Sequence, residues 1–168
     1  MENMKIIRII LLLFSLFLFT SFTDGQNNDT VDGEIHIPLK NTRPDGIGHF
    51  YVTVMINDVE VDLLIDCGSI SSLLDINQSD ELNFIYRVTE SSYRGIGGVI
   101  DDYRVYKYRT YYGENELFVG FRGVDMEELM RGFNVKFKTN MVGVLGSNFF
   151  TSTNAVIDFK NRILIIKQ

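Results

Sequence analysis

The sequence has one cysteine, two histidines and no basic run, and each shortage removes a class of protein. A single thiol, Cys67, excludes an intrachain disulfide, so stability has to come from a hydrophobic core or from assembly. His36 and His49 stand apart, without a His or Cys partner at ligand spacing, so no metal and no other cofactor is expected. The 168 residues carry 16 Lys and Arg against 22 Asp and Glu, a net charge of −6. An acidic chain without a basic cluster is a poor partner for nucleic acid, whose binding depends on neutralising phosphates. With 45% hydrophobic and 23% charged residues, the chain instead has the composition of one packed domain.

An apolar run long enough to cross a membrane is missing as well. Residues 9–19 are apolar apart from Ser15, but they fall short of the roughly 20 residues a spanning helix requires. Lys5 and Arg8 precede this run, and small and polar residues follow it, which is the layout of a secretory signal peptide. We therefore assign residues 1–25 to a signal peptide, with cleavage between Ser21 and Gln26, and expect a secreted or periplasmic protein. A retained membrane anchor is the alternative reading. Its removal leaves 14 basic and 20 acidic residues, so the net charge is unchanged.

Residues 26–46 read as a polar leader holding one strand over 33–39, and residues 47–168 as the folded domain. From residue 50 the pattern is that of a β-protein. Residues 50–56 and 59–65 are rich in β-branched and apolar side chains and are separated by Asn57-Asp58, a hairpin signature. Further strands are expected over 87–89, 99–112, 116–121, 155–159 and 163–166. One amphipathic helix is expected over 124–133, closed by Gly132, and a second short helix from Ser147.

Three pieces stand out in this frame. The apolar run 61–65 delivers a carboxylate directly into Asp66-Cys67-Gly68-Ser69. Gly95-Ile96-Gly97-Gly98 has the glycines that a tight hairpin tip requires. No Lys-Ser/Thr follows it, which argues against a phosphate-cradling loop. Val144-Leu145-Gly146 then leads into Ser147-Asn148-Phe149-Phe150. Taken singly, an Asp-x-Gly also makes an ordinary turn and two glycines an ordinary hairpin.

In this order the three pieces resemble the active-site loop, the flap and the hydrophobic-hydrophobic-Gly segment of retropepsin-like aspartic proteases of the bacterial, single-domain type. Residues 154–166 resemble the closing hairpin of bacterial members. The resemblance covers most of the chain after residue 48. It implies a mainly β, closed barrel-like retropepsin fold with one or two short helices, and hydrolysis of a peptide or protein substrate. It casts Asp66 as the catalytic acid/base, Cys67, Gly68 and Ser69 as its supports, with the Ser69 hydroxyl against the Asp66 carboxylate. It casts Gly95, Ile96, Gly97 and Gly98 as the flap, and Val144, Leu145 and Gly146 as the second loop.

The chemistry needs two carboxylates sharing one proton, one to take a proton from water and one to polarise the peptide carbonyl. Single-domain relatives obtain the pair by homodimerisation, so a symmetric dimer is implied here. Asp62, Asp75 and Asp158 are rival partners within the chain, and Asp158 reads as structural. Cys67 departs from the family, which has Thr or Ser there to hydrogen-bond across the dimer. A catalytic thiol, an intersubunit disulfide and a catalytically inactive peptide-binding module on the same fold are the other readings of that position.

Overall fold

The computed structural model describes residues 30–31, 33–95 and 98–167. The segment assigned to a signal peptide and the hairpin-tip residues Ile96 and Gly97 lie outside the described residues. Strands dominate, in the order β1 (Thr30–Val31), β2 (Glu34–Pro38), β3 (Lys40–Asn41), β4 (Phe50–Ile56), β5 (Val59–Ile65) and β6 (Ser72–Asp75). There follow β7 (Ile85–Gly95), β8 (Gly98–Tyr106), β9 (Thr110–Tyr112), β10 (Asn115–Leu117), β11 (Phe121–Val124) and β12 (Met141–Leu145). The chain closes with β13 (Val156–Asp158) and β14 (Ile163–Lys167). Helix α1 (Glu127–Phe137) precedes β12, and the short helix α2 (Ser147–Ser152) follows it.

Among the described residues these strands make two sheets. A four-stranded one runs β1-β2-β14-β13, and a larger one runs β10-β9-β4-β5-β12-β6-β11-β8-β7, with β3 added beside β4. The larger sheet is an open path, so the architecture is mainly β as expected but the sheet does not close on itself. Within the segment expected to be a leader, β2 joins the packed body: Ile35 and Ile37 are buried, and the strand pairs along its length with β14.

Alternation explains the first hairpin. Val52, Val54 and Ile56 of β4 face inward while Tyr51, Thr53 and Met55 are partly exposed, the period of a half-buried strand. Asn57 and Asp58 both have positive φ, 46° and 69°, as a two-residue turn matching strand twist requires. The Asn57 amide also donates to the carbonyls of Leu82 at 2.9 Å and Lys107 at 3.0 Å, so one side chain ties three turns together.

Three expectations shift in the structure. The strand run 99–112 breaks at Lys107, whose left-handed backbone (φ 56°) turns the chain from β8 into β9. The run 116–121 divides between β10 and β11, and Phe118 between them is exposed. Helix α1 begins later than 124, because Val124 still belongs to β11 and pairs with Asp75 of β6. It also runs through Gly132 and ends at Lys138, which takes the left-handed cap conformation. Gly132 costs about 1 kcal/mol in helix propensity. That is outweighed by burial of Met130 against Leu73, Met141 and Val144, and by Asn134, which bonds both the N–H and the carbonyl of Met141.

The strand that organises the larger sheet is β12. It lies parallel to β5 on one side and antiparallel to β6 on the other, and all five of its residues are buried. Gly143 permits this passage, since a Cβ there would sit 2.3 Å from the Leu73 carbonyl oxygen. Gly143→Ala is expected to lower stability by about 3 kcal/mol through overpacking against a backbone that cannot yield, measured by urea unfolding.

Asp62, on β5, is buried and satisfied: it accepts from Thr53 Oγ1 at 2.6 Å and from the Asn140 N–H at 2.9 Å. Burial, and then the charge of Asp62, hold the Tyr51 phenol above its ordinary value of 10.0. A group whose pKa is raised on folding stabilises below its unfolded pKa and loses that contribution as pH rises. The protein should therefore lose stability above about pH 10, and Tyr51→Phe should flatten part of that loss in denaturation midpoints taken from about pH 8 to 11.

Candidate active site

Asp66 stands where β5 and β12 end side by side. β5 ends at Ile65, opposite Leu145 of β12, and the Asp66 N–H donates to the Leu145 carbonyl at 3.0 Å, prolonging the parallel ladder by one bond. The chain then turns. The Ser69 N–H returns to the Asp66 carbonyl at 3.1 Å, and the Gly68 N–H donates to Asp66 Oδ1 at 2.9 Å. The carboxylate is thereby oriented by its own loop while the residue stays exposed.

The loop is held from below by the start of α2. Ser147 Oγ donates to the Cys67 carbonyl at 2.9 Å, the Ser147 N–H to the Ser69 carbonyl at 2.8 Å, and the Asn148 N–H to the Ile70 carbonyl at 3.1 Å. Asn148 continues the network: its Oδ1 accepts from the Ser72 N–H at 2.6 Å and Ser72 Oγ at 2.9 Å, and its Nδ2 donates to the Gly120 carbonyl at 2.9 Å. The buried Ser72 hydroxyl in turn accepts from the Gly146 N–H at 3.0 Å. Gly146 has to be glycine for this contact, because a Cβ would lie 2.4 Å from the Ser71 carbonyl oxygen.

Gly68 keeps a supporting place beside Asp66, whereas the Ser69 hydroxyl departs from its expected one. Gly68 does not adopt the left-handed backbone that would make glycine obligatory for the turn; a Cβ there would instead come within 3.1 Å of Asp66 Oδ1. Its value is room beside the carboxylate. Ser69, 9% exposed, directs its hydroxyl to the Ser71 carbonyl at 2.7 Å, and it supports Asp66 through its backbone N–H. Cys67 is exposed and outside any disulfide. Val144 and Leu145 are buried in β12, where Leu145 aligns Asp66 as described.

The rival carboxylates are engaged elsewhere. Asp62 is held by Thr53 and Asn140, and buried Asp75 accepts from the Met126 N–H at 3.1 Å ahead of α1. Exposed backbone and side-chain bonds from Asn161 hold the Asp158 carboxyl below its ordinary value. The histidines have their own neighbours: His36 pairs with Glu34 at 3.3 Å, and His49 packs edge-on against Phe133 at 5.2 Å. Gly95 and Gly98 form the last pair of the β7–β8 hairpin, as the spacing of the glycines suggested.

Sequence reasoning missed the weight carried by Ser72, Ser147 and Asn148. The signal was present, since Ser147 and Asn148 directly follow Gly146, but only the crossing of two distant segments gives their polar groups a purpose.

No family model and no curated protein sequence matches the chain. Solved structures do. The EIAV protease complexed with the inhibitor HBY-793 superposes with a TM-score of 0.50 at 17% identity, over 67% of this chain and 94% of that one. The chain adopts the retropepsin fold. Lower TM-scores accompany a retropepsin-like aspartic protease from Rickettsia conorii, 0.46 at 19% identity over 80% of this chain and 89% of that one. The retroviral protease-like domain of Ddi1 from Leishmania major gives 0.49 at 16% identity over 69% and 86%. Within this retropepsin fold, Asp66 sits on a rigid loop as one exposed carboxylate, able to accept a proton from a water or to share one with a second acid.

Asn148→Ala should remove the partner of the buried Ser72 N–H together with the tie to Gly120, costing about 2–3 kcal/mol. Chemical unfolding measures the loss, and amide exchange across residues 66–72 should rise with it.

Proposed function

We propose that this protein is an exported aspartic endopeptidase, active as a homodimer in which the Asp66 side chains of two copies form the catalytic pair. The observation that carries this reading is the presentation of Asp66. Its carboxylate is exposed on a loop whose carbonyls at 67, 69 and 70 are all fastened to residues 147 and 148, with Gly68 clearing the space beside it. Catalytic geometry tolerates little play, and a loop so fastened supplies it.

Asp62, Asp75 and Asp158 have structural partners, which supports a second carboxylate supplied by another chain. Apolar surface next to the loop supports that assembly. Ile70 is 79% exposed, and Asn148, whose N–H holds the Ile70 carbonyl, also lines a groove of about 850 Å3 with Ile35, Phe118, Val119 and Ile166. In the dimer one carboxylate takes a proton from the attacking water while its protonated partner polarises the scissile carbonyl. The β7–β8 hairpin covers the bound peptide and limits water. Residues 1–25 direct the chain out of the cytoplasm.

Cys67 favours a second reading, a peptide-binding module without hydrolysis. A thiol is a weaker donor than the Thr or Ser of relatives, and about 0.5–1.5 kcal/mol is lost for each hydrogen bond not made. Incubating the mature protein with a mixed peptide library from about pH 3 to 7 separates the two. Cleavage that disappears in Asp66→Asn is the expected result. Cleavage that survives the substitution sinks the mechanism, and binding without cleavage, with activity gained in Cys67→Thr, establishes the module.

A further inference from the structure

Little backbone joins the β7–β8 hairpin to the rest of the sheet. β8 meets β11 through two residue pairs, Arg122 with Arg104 and Gly123 with Tyr103, and β7 is the outermost strand. The same register lines up three arginines, since Arg87 of β7 lies opposite Arg104 and Arg104 opposite Arg122. Like charges directly opposite weaken strand pairing. The buried carboxylate of Asp102 answers one of them, Arg122.

Asp102 precedes Arg104 by two residues and so shares its face of β8. It is 2% exposed, accepts from Arg122 Nε at 2.9 Å, and pairs its other oxygen with Arg122 Nη2, the bidentate form that fixes orientation as well as charge. Thr89 of β7 completes the cluster, with its hydroxyl 2.9 Å from the Asp102 carbonyl and 3.1 Å from Oδ2. The β7–β8 ladder shifts register between Val88 and Ser92, so these side-chain bonds span the point where backbone pairing lapses. On its other side Arg122 pairs with Leu73 of β6 and lies two residues beyond Gly120, whose carbonyl Asn148 holds. Contacts therefore run without a gap from the hairpin to the loop that carries Asp66.

We propose that Asp102, Arg122 and Thr89 anchor the β7–β8 hairpin to β11, and that this anchor sets how tightly the protein holds a peptide. The second half rests on the peptidase reading above. All three are positioning residues, acting through the hairpin.

The test compares the full chain with Thr89→Val, Asp102→Asn and Arg122→Met by amide hydrogen exchange and by steady-state cleavage of one peptide. Thr89→Val exchanges the hydroxyl for a methyl group of similar size and leaves the Asp102–Arg122 pair in place. Exchange in β7 and β8 should rise about tenfold while β4, β5 and β12 keep the wild-type rate. KM should rise about tenfold with kcat within about threefold, the split expected when binding is loosened and chemistry is not. Unchanged hairpin exchange, or an equal rise in β4, β5 and β12, overturns the anchor. A loosened hairpin with unchanged KM overturns its role in holding peptide. Wild-type protein that cleaves nothing removes the peptidase reading instead, and the exchange pattern then decides the anchor alone.

Discussion

The insertion of β12 between β5 and β6 is the constraint on which the rest of the structure depends. It brings residues 145–148 against residues 65–72, segments about 80 positions apart in the chain, as the Ser147 to Cys67 bond records. A strand enclosed on both sides has every backbone group committed to neighbours, so its position is set by many bonds at once. Glycine at 143 and 146 removes the side chains that would hold the backbones apart. Asn148 then converts the crossing into a specific arrangement, because its oxygen and its amide group reach two different segments.

This constraint explains why one carboxylate can be exposed and still be well placed. Asp66 belongs to the end of an enclosed ladder and to a loop fastened at three carbonyls, so order at the site does not require burial of the acid. Each other acid weighed as a partner is engaged in stabilising a turn, a helix start or a strand pair, whereas Asp66 and the neighbouring Ile70 are exposed.

Much of the fold was legible because its rules are local. The Asn57-Asp58 turn announces itself by residue type, and the alternation around it gives both strands their bounds, which match β4 and β5. Residues 147–152 likewise begin a helix at the expected place. Local rules erred where packing outweighed propensity. Gly132 reads as a helix end, yet Met130 and Asn134 gain more from continuing α1 than the glycine costs. Lys107 carries no turn signature, and its left-handed backbone is supported by Asn57 from a hairpin 50 residues away.

The sequence by itself determined that Asp66 follows an apolar strand, that a glycine stands beside it, and that Val144-Leu145-Gly146 leads into a helix; these are properties of neighbours along the chain. Only the tertiary structure decided what each residue does there. Gly68 leaves room beside the carboxylate, the Ser69 hydroxyl serves Ser71, and Ser72, Ser147 and Asn148 carry the loop. Asp102 and Arg122 meet because β8 and β11 pair, which no local pattern encodes. The physical reason is common to all of them: hydrogen bonds and close contacts depend on distances across the sheet, and those exist only once β12 has been threaded into place.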